Sequence, residues 1–164
     1  MSDGTLRILV PVDFSPYSDA ARRYAARLAA RLDATLELLH VVEAAGSERD
    51  RAVADAERRL EAWRTRTAQP GLRISTAVRV GLPAQMVPDY AENARVDLLV
   101  MGRHGCGVVG HDSMGRVAAR VLREAPCPVL TLQDDASTAA DRPWAPAEAM
   151  TLRAALGRGG TSRE

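Results

Sequence analysis

The sequence predicts an α/β fold: a single open parallel sheet with helices on both faces. Three observations carry that expectation. Short apolar runs alternate along the chain with segments of helical periodicity, the pattern of parallel strands joined by right-handed crossovers. A glycine-rich loop at residues 102–115 follows one apolar run and precedes a helical pattern. The 164 residues suit one domain with one continuous core.

The elements follow in order. Residues 6–12, Leu-Arg-Ile-Leu-Val-Pro-Val, read as the first strand, with Asp13 at its carboxyl end. Ser15-Pro16 signals a helix start, serine capping and proline at the first helical position. Ala21, Tyr24, Ala25, Leu28, Ala29 and Leu32 then recur at helical spacing, and the small alanines permit a close approach to a sheet. Residues 34–42 form the second strand, and residues 47–67 a charge-rich helix whose stripe is Val53, Ala56, Leu60 and Trp63. Residues 72–80 alternate, with Arg73 and Arg79 on the polar side, as in a half-covered or edge strand. A third helix begins at Gly81-Leu82-Pro83; Pro88 removes one helical hydrogen bond, so a kink or a start delayed to Val87 is expected. Residues 96–101 are the fourth strand, a fourth helix runs to Glu124, and Val129–Leu132 is the fifth strand. The folded domain is thus placed at residues 1–133. Residues 134–164, rich in Ala, Pro, Asp, Arg and Gly, read as a mostly disordered tail with a short helix at 146–156.

Composition excludes several functions. All 22 basic residues are arginine, which rules out a Schiff-base lysine and a lysine-bearing P-loop. The net charge of +1 demands no polyanionic partner, and one Phe, two Trp and three Tyr offer no stacking platform for single-stranded nucleic acid. Cys106 and Cys127 make no disulfide framework. Neither a signal peptide nor a membrane-length apolar run is legible, so the expected location is the cytoplasm.

The glycine loop is the strongest chemical signal. Gly102, Gly105, Gly107, Gly110 and Gly115 stand between a strand and a helix. Glycines let backbone N–H groups approach a ligand, and a helix N-terminus adds unpaired donors and partial positive charge; together they suit a phosphate. In parallel sheets ligands sit beyond the carboxyl ends of the strands, where the strand order reverses. If the first and fourth strands are neighbours, Asp13 and this loop line one crevice. The bland alternatives are a surface loop for the glycines and a turn or capping role for Asp13. His104, Cys106 and His111 match no standard zinc spacing and lack a fourth ligand. His40 reads as a satisfied polar residue in a strand, and Cys127 as packing.

Met101-Gly102-Arg103-His104-Gly105, then Gly115, then residues 121–130, Val-Leu-Arg-Glu-Ala-Pro-Cys-Pro-Val-Leu, resemble the universal stress protein family. The opening Ile8-Leu9-Val10-Pro11-Val12-Asp13-Phe14-Ser15 is similar to that family's first strand. The resemblance covers residues 6–132. It implies strand order 3-2-1-4-5, a homodimer paired through Val129–Leu132, and an ATP site in which Asp13 would lie near a magnesium ion or the ribose. Pro11, Val12 and Asp13 would border the nucleotide and Val41 would touch adenine through its backbone. Gly102, Arg103, His104, Gly105, Cys106, Gly107 and Val108 would wrap ribose and phosphates. Arg116 and Val117 would offer N–H groups to the terminal phosphates. The chain departs from the family's pattern twice: Arg116 stands where Ser or Thr follows the last glycine, and the polar His111-Asp112-Ser113-Met114 replaces an apolar run. The functional expectation is a nucleotide-binding regulatory module of the stress response, with no membrane or nucleic-acid partner. The alternatives are a stress or interaction dimer that binds no nucleotide, and a slow ATP hydrolase using Asp13 with Arg103 or Arg116.

Overall fold

The computed structural model describes residues 4–105 and 114–132. Within them the chain runs β1 (Arg7–Pro11), α1 (Pro16–Leu32), β2 (Thr35–Val42), α2 (Arg49–Thr67), β3 (Arg73–Val80), α3 (Pro83–Asn93), β4 (Leu98–Gly102), α4 (Arg116–Glu124) and β5 (Val129–Leu132). The strands form one parallel sheet in the order β3-β2-β1-β4-β5, as the resemblance implied. The expected tail and its helix at 146–156 lie outside the described residues. Among the described residues no helix is long and apolar enough to cross a membrane.

Strand alternation divides the core in two. Ile8, Val10, Leu36, Leu38, Leu98 and Val100 face one layer, packed with Ala21, Ala25, Leu28 and Leu32 of α1 and Leu60 and Trp63 of α2. Leu9, Leu39, Val41, Leu99 and Met101 face the other, packed with Val87 and Ala91 of α3 and Ala118 and Val121 of α4. The central strands are apolar on both sides for this reason.

Helix ends follow local chemistry. The Ser15 hydroxyl accepts the Ser18 N–H at 3.2 Å and Pro16 opens α1. Helix α2 begins two residues later than expected, after a 3-10 turn at Gly46–Glu48, and buries only Ala56, Leu60, Trp63 and Thr67. The start of α3 is not delayed: the helix opens at Pro83 and passes through Pro88 to Asn93. The N–H groups of Gln85 and Met86 both donate to the Leu82 carbonyl, at 3.0 and 2.9 Å. The first turn is therefore closed before Pro88, which costs a single donor. β3 and β5 are the two sheet edges; on β3, Arg73 and Arg79 are exposed. Cys127 is half-buried beside the α3–α4 layer, and burial, with Asp97 nearby, pushes its thiol up to about 11.

The alanine face of α1 sets its distance from the sheet: Ala21, Ala25 and Ala29 are each 0% exposed. Ala25→Leu is therefore expected to destabilise the fold by about 1–3 kcal/mol through overpacking, read as a lowered midpoint in urea. An unchanged midpoint would mean that α1 is free to lift from the sheet.

Candidate functional site

The pairing of Ile8 with Leu98 and Leu9 with Leu99 makes β1 and β4 neighbours. After β1 the chain departs toward β2 and β3; after β4 it departs the opposite way, toward β5. The loops at the carboxyl ends of β1 and β4 consequently diverge, and a cavity of about 670 Å³ opens between them.

Pro11, Val12 and Asp13 from the end of β1 line this cavity, as does Val41 near the end of β2. Gly102, Arg103, His104 and Gly105 contribute from the end of β4, and Gly115, Arg116 and Val117 from the start of α4. Cys106, Gly107 and Val108 lie outside the described residues, as do His111, Asp112 and Ser113. Among the described residues no three His, Cys, Asp or Glu side chains converge as a metal site would require.

Asp13 is held by its own turn. One carboxylate oxygen accepts the Ser15 N–H at 3.0 Å and the Ser15 hydroxyl. The turn that the sequence offered as the plainer role for Asp13 is thus present, and it occurs on the cavity wall. The other oxygen lies against Gly105, where a Cβ would sit only 2.5 Å from it. Gly102 is constrained from elsewhere: a Cβ there would stand 2.8 Å from the Tyr17 Cβ and 3.2 Å from the His104 carbonyl oxygen. Both glycines thus answer to packing inside the protein. His104 is itself buried, 7% exposed, with its ring edge-on to Tyr17 at 5.6 Å. The carbonyl of Arg103 accepts the Gly115 N–H at 3.0 Å, and its N–H donates to the Leu132 carbonyl at 2.9 Å. These two bonds tie the β4 exit to the N-terminus of α4 and to β5.

Two polar residues on the wall, His40 and Glu43 at the end of β2, were not among the expected site residues. His40 is satisfied, as expected: its Nδ1 lies 2.7 Å from the Val12 carbonyl oxygen. A carbonyl only accepts, so Nδ1 carries the proton and Nε2 is the acceptor of the neutral ring. Pro83 and Val87 of α3 and Ser18 of α1 complete parts of the wall. The available signal for His40 and Glu43 was their place at the carboxyl end of a strand next to β1, which depends on knowing the strand order. The wall combines two guanidiniums, two imidazoles, two carboxylates, apolar side chains and the open N-terminus of α4, which suits a ligand with a flat apolar part and an anionic part.

The sequence profile of the universal stress protein family matches residues 5–133. A universal stress protein of Methanocaldococcus jannaschii is 30% identical over 145 residues, covering 77% of this chain and 81% of its own. The structure of the universal stress protein UspA from Lactobacillus plantarum matches with a TM-score of 0.66 at 29% identity, over 78% of this chain and 97% of that one. The universal stress protein from Archaeoglobus fulgidus, solved in complex with dAMP, gives 0.65 at 21% identity over 78% and 98% of the two chains. A family protein from Arabidopsis thaliana with AMP bound gives 0.57 at 21% over 87% and 98%. At that identity the last two show a shared fold.

The contact between Asp13 and Gly105 yields a test. Gly105→Ala is expected to destabilise the protein by about 1–3 kcal/mol, because the new methyl must displace a carboxylate held by Ser15. In an Asp13→Ala background the same change should cost much less, and urea melts of the four proteins give the coupling. Additive effects would show that the two residues do not press on one another.

Proposed function

The chain belongs to the universal stress protein family, and on that footing we propose that its cavity binds an adenine nucleotide, with ATP the physiological ligand. The protein then serves as a nucleotide-responsive module of the stress response, working as a cytoplasmic homodimer. The observation that carries this reading is the 670 Å³ cavity at the β1–β4 switch point, lined at once by Val12 and Val41 and by the first turn of α4. The apolar wall of Val41, Val87 and Met101 suits a purine face. The N–H groups of the first turn of α4 lack helical acceptors and suit phosphate oxygens. The dAMP and AMP complexes of proteins with the same fold support the same ligand class.

A second reading, an interaction dimer without nucleotide, draws on the glycines. Gly102 and Gly105 are required by Tyr17 and Asp13, so their presence does not by itself call for a ligand. Denaturing the purified protein and chromatographing the released small molecules separates the two readings. An adenine nucleotide, or a raised melting temperature with ATP or AMP, is expected; Gly105→Val should abolish both. Absence of nucleotide together with no thermal shift would favour the second reading.

The edges of the sheet support the homodimer. β5 is an edge strand whose Val129, Leu130 and Thr131 are only half-buried, whereas the β3 edge carries exposed arginines. Unpaired strand edges of apolar character recruit a second strand, and charged ones resist it. Light scattering at micromolar concentration should give twice the mass of one chain. A monomer across that range would overturn the assignment.

A further inference from the structure

We propose that the cationic side of this cavity is occupied, in the ligand-free protein, by the chain's own Asp134 and Asp135, and that a nucleotide's phosphates bind by displacing them. The proposal rests on the nucleotide reading above and adds an internal competitor to it.

The root of the tail is built into the cavity wall. Leu132, the last described residue, registers with Gly102, and its carbonyl accepts the Arg103 N–H at 2.9 Å. The Arg103 carbonyl in turn accepts the Gly115 N–H at 3.0 Å. Two backbone bonds thus join the end of β5, the cavity-lining Arg103 and the start of α4. β5 runs parallel to β4, so the chain leaves it at the end of the sheet where the cavity opens.

That corner of the wall is short of negative charge. Arg103 and Arg116 both line the cavity, and among the described residues no ion pair reaches either. Helix α4 opens without a side-chain cap and without an acidic residue in its first turn. Arg116, its first residue, adds positive charge where the helix already presents it. The described carboxylates on the wall are those of Asp13, bonded by Ser15, and Glu43, which follows β2 on the far side of β1 from β4.

The sequence supplies anions at the point of exit. Gln133-Asp134-Asp135 follows Leu132 directly, and no basic residue comes before Arg142. Asp134 and Asp135 are tethered to Leu132 by about 7 and 11 Å of extended chain. A tether this short holds the pair at an effective concentration in the millimolar range, so a contact that is weak by itself is populated. Carboxylates match both a guanidinium fork and the N–H groups of a helix start, the same groups that suit phosphate. Apparent affinity for the nucleotide then falls with the fraction of chains that are open.

The test compares four full-length chains by calorimetric titration with ATP and with adenosine: wild type, Asp134→Asn/Asp135→Asn, Asp112→Asn, and Asp141→Asn/Glu148→Gln, which removes the same charge further along the tail. Asp134→Asn/Asp135→Asn should bind ATP about fivefold more tightly than wild type, the gain that follows if roughly four chains in five are closed, while adenosine, which lacks phosphate, changes by less than about twofold. The other two variants should match wild type. Equal ATP affinity in all four would overturn the proposal and leave the nucleotide reading standing. An equal gain in Asp141→Asn/Glu148→Gln would overturn it by assigning the effect to net charge, and a gain confined to Asp112→Asn would overturn it in favour of the loop before α4. An equal gain toward adenosine would overturn it by placing the aspartates away from the phosphate end. Failure of all four chains to bind ATP would remove the nucleotide reading, and this proposal with it.

Discussion

The structure depends on β1 being paired on both sides. Its five residues register with Arg7↔Thr35 through Pro11↔Leu39 on β2, and Ile8 and Leu9 register with Leu98 and Leu99 on β4. The chain first builds outward from β1 to β3, then must return across β2 and β1 to lay down β4 on the far side. α3 makes that return, which is why Pro83 and Val87, far from the glycine loop in sequence, reach the cavity wall. Right-handed connections in both directions place α1 and α2 on one face and α3 and α4 on the other. The cavity is a consequence of this reversal.

The turn after β1 is built to hold its shape. Phe14 has φ +62, which an aromatic residue adopts at a cost of order 1–3 kcal/mol. The conformation is over-determined by its neighbours: the ring packs on His40 at 4.6 Å and edge-on to Trp63 at 5.3 Å, with the Arg59 guanidinium 3.9 Å above it. His40 in turn fixes the Val12 carbonyl, and Ser15 fixes Asp13. The turn at residues 12–15, whose Val12 and Asp13 line the cavity, is thus set by contacts to β2 and α2. Such preorganisation reduces the ordering cost of binding.

The strands were legible because burial on both faces leaves uninterrupted apolar runs, as in Leu36, Leu38, Leu39, Val41 and Val42. The cap of α1 was legible because Ser15-Pro16 carries its mechanism in two residues. Strand order was a different matter: periodicity shows that strands alternate with helices, and only the family motif indicated which strands are neighbours. His40 and Glu43 escaped for that reason, since their access to the cavity follows from β2 lying beside β1. The course of α3 through Pro88 depends on how early the helix closes its first turn, which Leu82 decides through backbone bonds invisible in the residue types. The glycine motif showed a further limit. A sequence marks where a Cβ is absent, but not whether the space it leaves is taken by Tyr17, by Asp13 or by a ligand.

The absence of lysine runs through each of these levels. Arg22 is 6% exposed, a burial that its fork makes tolerable: it bonds Asp19 and Thr67 while its plane lies 5.4 Å from the centre of the Trp63 ring. Arg59 caps Phe14, Arg66 also lies over Trp63, and Arg79 lies over Tyr90. A compact ammonium, more strongly hydrated and unable to stack, would perform these packing roles poorly. The chain thus uses guanidinium planes to complete an interior that is short of aromatic area. The properties that suit arginine to this use, weak hydration and a rigid directional fork, also suit it to phosphate. A structural preference for arginine and a cationic edge to the cavity have the same chemical origin in this protein.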